Sequence, residues 1–203
     1  WRASCCGRSM VLPDADDLIR LHDGLLANEE HPVGDDALLS AVAENHGCNR
    51  QLWDNEDQAR RTDMPADYIV GCKRRIDTLN QRRNDAVERI DELLLGRLQG
   101  LVPKSGARLH SETAGAIIDR LSILSLKIHH MAVEAERSDA GDAHVSACSA
   151  KLHRLRRQRS DLAECLNQLL METRRGDAYF KIYRQYKMYN DPALNPWLRG
   201  GKP

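Results

Sequence analysis

Between Pro65 and Gly100, apolar side chains recur every seven residues in two interleaved series: Ile69, Ile76 and Ile90, and Cys72, Leu79, Ala86 and Leu93. A seven-residue repeat brings such positions to one side of a helix and gives that side a continuous seam for a neighbour. The spacing predicts a single helix from Pro65 to about Leu98, long enough to need other helices beside it. Arg83 breaks the seam with a guanidinium at an apolar position. It must either snorkel to water or meet an acidic partner.

The rest of the chain carries the same kind of signal. Pro13 to Asp17 opens a first helix to about Asn28, and Glu29 to Gly34 reads as its exit loop. Asp35 or Asp36 can cap a second helix running to about Arg61. Gly100 to His110 forms a linker. A fourth helix follows from Ser111 to about Arg137 on Ile117, Ile118, Leu121, Leu124, Ile128 and Met131. After a polar turn, Ser138 to Asp142, Leu152, Leu155, Leu162, Leu166 and Leu169 mark a fifth helix that ends at Gly176, a usual helix C-terminal glycine. A short sixth helix is expected from Asp177 to about Tyr189, then an extended tail. No repeat, low-complexity segment or strand-like alternation is present. The expected fold class is all-α, a bundle of about six helices including long antiparallel ones. Residues 1–9 read as a disordered leader or tag, and 10–203 as one helical domain with an extended C-terminal tail.

Composition narrows the function classes. The 203 residues carry 30 basic and 30 acidic side chains, so the basic excess typical of nucleic-acid binders is missing. No apolar run approaches the roughly 20 residues that cross a bilayer, and no signal peptide is recognisable, so a cytoplasmic protein without a membrane partner is expected. Cys48, Cys72, Cys148 and Cys165 lie far apart without paired ligand spacing. They read as reduced and mostly buried thiols, with neither disulfide nor metal site expected. No glycine-rich phosphate loop marks a sugar-nucleotide transferase, and no cofactor is expected.

Polar residues at helical spacing supply the candidate site. Asn49, Trp53, Glu56 or Asp57, and Arg60 follow one another at three- and four-residue steps, on one face of the second helix. Trp53 either fills the core above an exposed ion network or forms a pocket wall. Asp54 and Asp57, three residues apart, can interact and suit acid/base chemistry; a pair of carboxylates is what glycosidic hydrolysis requires. Both leave the same helix, so a carboxylate from a facing helix could complete the pair. Lys73, Asp77, Asn80 and Asn84 form a polar stripe on the third helix, able to bond sugar hydroxyls or a neighbouring helix. On the fourth, Glu112, Asp119, Arg120 and Lys127 interrupt an apolar sequence and need partners. His129 and His130 read as an ordinary helix edge, and the basic run Lys151 to Arg159 as a solvated face. Tyr179, Phe180, Tyr183, Tyr186 and Tyr189 either dock the sixth helix or line a sugar-binding rim.

Three stretches together, Asn49 to Arg60, Lys73 to Asp85 and Ser111 to Lys127, with the tail Tyr186-Lys187-Met188-Tyr189-Asn190-Asp191-Pro192 and Asn195-Pro196, resemble the bacterial family called domain of unknown function 4254. The resemblance spans roughly Leu21 to Leu198. It implies a helical, dimeric protein associated with polysaccharide assembly, similar in its actinobacterial branch to intracellular endo-acting α-mannosidases. Carried over by position, it points to Trp53, Glu56, Asp57 and Arg60, to Lys73, Asp77, Asn80, Asn84 and Asp85, and to Glu112, Asp119, Arg120 and Lys127. Asp54 stands where relatives often have histidine, and Ala114 where proline is commoner. The expectation is a glycoside hydrolase with catalytic Asp54 and Asp57, acting on α-linked mannose oligosaccharide or polysaccharide. Trp53, Arg60 and the polar residues of the third and fourth helices would bind substrate. The alternative is a non-catalytic scaffold or glycan-binding partner in polysaccharide biosynthesis.

Overall fold

The computed structural model describes residues 12–28, 35–98, 101–186, 188 and 191–200; the expected leader at 1–9, the loop at 29–34 and Tyr189 lie outside them. Five helices follow in order: α1 (Ala15–Leu26), α2 (Ala37–Gln58), α3 (Ala66–Arg97), α4 (Ala114–Ala135) and α5 (Asp142–Arg175). A single 3-10 turn, Ser138–Ala140, joins the last two.

The helix ends follow from local chemistry. The Asp14 carboxylate accepts from the Asp16 N–H at 2.7 Å, and Asp36 accepts from Leu38 N–H at 2.8 Å, so each satisfies a donor of an opening turn. Asp36 also holds Arg97 at the far end of α3. Thr113 caps α4 by accepting from Ala116 N–H at 3.1 Å. Gly176 closes α5 in the left-handed region at φ 75°, which suits a residue without Cβ.

Among the described residues the expected sixth helix is absent. The Gly176 turn instead lays residues 177–179 along the linker, where β2 (Ala178–Tyr179) pairs in parallel with β1 (Arg108–Leu109). Arg108 N–H donates to Asp177 O at 3.0 Å and His110 N–H to Tyr179 O at 2.8 Å. Beyond Phe180 the chain runs without helix to Tyr186. The aromatic spacing that imitates a helix splits into a buried Phe180 and exposed Tyr183 and Tyr186, so it forms no docking face.

α4 occupies the middle, touching α1, α2 and α3 and lying along α5, while α2 lies along α3. Its Ile117, Ile118 and Leu121 join Leu18, Leu38, Ile90, Leu94 and Leu166 in one core. Each such side chain, fully buried, contributes about 1.5–3 kcal/mol. On α3 the seam buries Cys72, Ile76, Leu79, Ala86 and Ile90, but Ile69 and Leu93 are half-buried and Leu94 lies fully inside. A straight helix drifts off a seven-residue repeat in this way. At Gly115 α4 meets α3 so closely that a Cβ would sit 2.6 Å from the Val87 carbonyl oxygen. Cys48, Cys72 and Cys148 are buried free thiols; Cys165 is free and exposed. No described helix is long and apolar enough to cross a membrane.

Candidate functional site

The contact of α2 with α4 is polar where most of the bundle is apolar. Asn45 and Asn49, one turn apart on α2, each donate from Nδ2 to Asp119 Oδ1 at 2.9 Å. Asn49 Nδ2 also donates to Ser122 Oγ at 3.0 Å, and His46 Nδ1 lies 2.8 Å from the same hydroxyl oxygen. His22 of α1 stacks on His46 with centroids 4.8 Å apart. Burial is the main reason both rings titrate low: His46 is held to about 4, and His22 well below the usual histidine range, further lowered by His46 and Arg159. Arg83, the charge on the α3 seam, meets an acidic partner here: its Nε is 3.8 Å from Asp119 Oδ1.

Two hollows open beside this network. The first, about 330 Å³, has Leu52, Ile123 and Leu126 as its apolar wall, and Trp53, Asp57, Arg60 and Arg83 among its polar ones. The Trp53 indole stacks on His130 of α4, centroids 4.4 Å apart and planes 3° from parallel, and His129 meets His130 edge-on at 5.4 Å. Desolvation and the neighbouring His129 hold His130 below the usual histidine range, against the pull of Asp57 and Asp54. The second hollow, about 230 Å³, is lined by Arg83, Asn84, Asp91, Glu112, Asp119 and Tyr183 among others. Burial pushes the Asp91 carboxyl up to about 6, although Thr113 and the Gly115 N–H, at 2.7 Å, hydrogen-bond to it. Arg83 belongs to both hollows.

The candidates from the sequence divide accordingly. Trp53, Asp57 and Arg60 line the first hollow with Asn49 and Glu56; Asn84, Glu112 and Asp119 line the second. Glu56 is engaged by Arg60 at 3.2 Å and by Lys73 at 3.5 Å, which ties Lys73 to the rim. Asp54 is exposed and lines neither hollow; nor do the exposed Asp77 and the half-buried Asn80. Arg120 binds Glu112 at 2.6 Å, but with Lys127 it faces a separate hollow of about 600 Å³ between α4 and α5. In the basic run Lys151 to Arg159, Arg159 turns inward, to Asp23 at 2.7 Å and Ser125 Oγ at 3.1 Å. Among the described residues no three His, Cys, Asp or Glu side chains gather as metal ligands.

Asn45, His46, Ser122 and Asp91 belong to the site without having stood out in the sequence, and His130, read there as an ordinary helix edge, instead backs the Trp53 indole. Asn45 and Asn49, four apart on a helix, carried a readable signal. Small polar Ser122 within an apolar run carried none.

A helical bundle with a polar seam leading into two adjoining hollows is the class that fold and geometry define. The chain belongs to the family described as "Protein of unknown function (DUF4254)", whose sequence model matches residues 39–182. That span takes in most of α2, with Trp53 and Asp57, all of α3 and α4, the first hollow, and the second apart from Tyr183 and Gln185. No curated protein and no solved structure matches the chain.

Proposed function

We propose that the protein is a cytoplasmic glycoside hydrolase that cuts within an α-linked mannose oligosaccharide or polysaccharide. One observation carries this reading: Asp57 lines the first hollow with a carboxylate that makes no hydrogen bond or ion pair among the described residues. It shares that hollow with Trp53, whose ring is backed by His130. An uncommitted carboxylate can exchange a proton with a glycosidic oxygen or a water, and a fixed indole offers a flat apolar face to a sugar ring. Asp54, three residues before Asp57, stands at the edge of this arrangement, near enough to act on His130. The family resemblance supports the sugar and the linkage class.

The test is product sizing after incubation with a panel of α-mannan and α-glucan oligosaccharides. Wild type should shorten the mannans, and Asp57→Asn should slow this by about 10²–10⁴-fold with little loss of stability. Mannan cleavage left intact in both Asp57→Asn and Asp54→Asn would reject the assignment.

A second reading, a non-catalytic scaffold or glycan-binding partner in polysaccharide biosynthesis, has its own support. Much of the charge around the hollows is already paired: Glu56 with Arg60 and Lys73, Glu112 with Arg120, Asp119 with Arg83. On that reading wild type binds the same oligosaccharides and leaves them whole.

A further inference from the structure

We propose that Asp119, from the facing helix α4, is the carboxylate that works opposite Asp57; the inference rests on the hydrolase reading and names the second half of its machinery. Asp57 lines the first hollow and Asp119 the second, and Arg83 lines both. A substrate chain laid along both hollows would cross Arg83 with a carboxylate available in each. Asp54, by contrast, shares a helix face with Asp57 and lines neither hollow.

The two oxygens of Asp119 are differently employed. Both amide donors, Asn45 and Asn49, and the closest approach of Arg83 fall on Oδ1. Oδ2 accepts no hydrogen bond among the described residues, yet it is not one of the buried polar atoms left without a partner. Since Asp119 lines the second hollow, Oδ2 is the oxygen open to it. Asn45 and Asn49 are themselves buried, and Ser122 fixes Asn49 from behind. A carboxylate locked through one oxygen and free at the other is oriented for a single task.

The step balances without any further reagent. A water loses a proton to Asp119 Oδ2 as its oxygen bonds to the anomeric carbon. The glycosidic C–O bond breaks, its electron pair passes to the leaving oxygen, and that oxygen takes a proton from Asp57. Asp119 ends protonated and Asp57 ionised, and exchange with solvent restores both.

Asp119→Asn is the informative variant, because an asparagine can present its carbonyl oxygen to Asn45 and Asn49 while replacing the open oxygen with an amide. Wild type, Asp119→Asn, Asp57→Asn and Asp54→Asn would be compared on α-mannan oligosaccharides, with kcat followed against pH and folding checked by circular dichroism and thermal melting. The expected result is a loss of about a hundredfold or more in kcat for Asp119→Asn with the melt retained, and disappearance of the acid limb of its pH profile. If wild type cleaves and Asp119→Asn keeps more than a tenth of its rate, or loses rate while preserving the acid limb, the role falls and the hydrolase reading stands. If wild type cleaves none of the glycans, both fall. Should Asp119→Asn fail to fold, Asp119→Glu, which preserves the charge facing Arg83, takes its place. It must then lose kcat at least tenfold with KM within about threefold, and unchanged kcat overturns the role.

Discussion

Three ring nitrogens of the stacked histidines, both of His22 and Nε2 of His46, have no partner in the core. A neutral imidazole tolerates this far better than a charged one. The pH dependence follows from the sign of the shift. Both histidines titrate lower folded than unfolded, so as pH falls the unfolded chain takes up protons first. Their contribution is whole above about 6.5 and is lost as pH falls toward the folded value, about 4 for His46. For His46 this amounts to about 3 kcal/mol. Asp91 acts in the opposite sense. Its carboxyl is raised to about 6, so the folded chain keeps a proton that the unfolded one releases between about 4 and 6, and stability is gained on acidification. The comparison that isolates His46 is therefore with His46→Asn, whose amide can still reach Ser122. Urea unfolding should show this variant gaining about 3 kcal/mol relative to wild type between pH 7 and pH 4. A pH-independent difference would reject the assignment.

At the scale of elements, what the sequence revealed was periodicity and punctuation. The α3 seam, the caps at Asp36 and the α5 stop at Gly176 depend on neighbours in the chain, and all were legible. The false sixth helix shows the limit. Its fate was decided by backbone groups of residues 108–110, a partner distant in sequence, so no local pattern could announce it. The polar seam stands between these cases, since Asn49 and Asp119 each stood out on their own helices while Asn45 and Ser122, which tie them together, did not. Where α4 touches α3, the approach at Gly115 is specific. Gly115→Ala would press a methyl against the Val87 carbonyl and, at 2.9 Å, Asp91 Oδ1. A loss of about 1–3 kcal/mol is expected in urea unfolding, and an unchanged midpoint would contradict the packing. The segment after β2 is held by Arg184, which reaches Glu88 at 2.7 Å and Glu92 at 2.6 Å, beside the second hollow lined by Tyr183. Arg184 and Glu92 are substantially exposed although Glu88 is mostly buried, so Arg184→Ala should cost at most about 1 kcal/mol of global stability. Limited proteolysis should nevertheless cut residues 181–186 sooner in that variant; equal cleavage would show that the segment is held by other means.

For the whole molecule, the helix-bundle architecture was legible and the site only in outline. Trp53 and Asp57 come together because they share a helix, with Arg60 in the turn that ends it; Asn84, Glu112 and Asp119 join them because α3 and α4 pack around Arg83. The homodimer that the family resemblance implies predicts a scattering mass of twice the 23.0 kDa chain, and a stable monomer at micromolar concentration would reject it. The smallest element bears on how the molecule is made. Because β1 precedes α4 and its partner β2 follows α5, the two-residue ladder can zip only after everything between them has left the ribosome. Until then the linker's backbone donors at Lys104, Arg108 and His110 must be satisfied by water. The nascent chain can therefore fold its helices as they emerge, but it is fastened shut only once Ala178 and Tyr179 are free to pair.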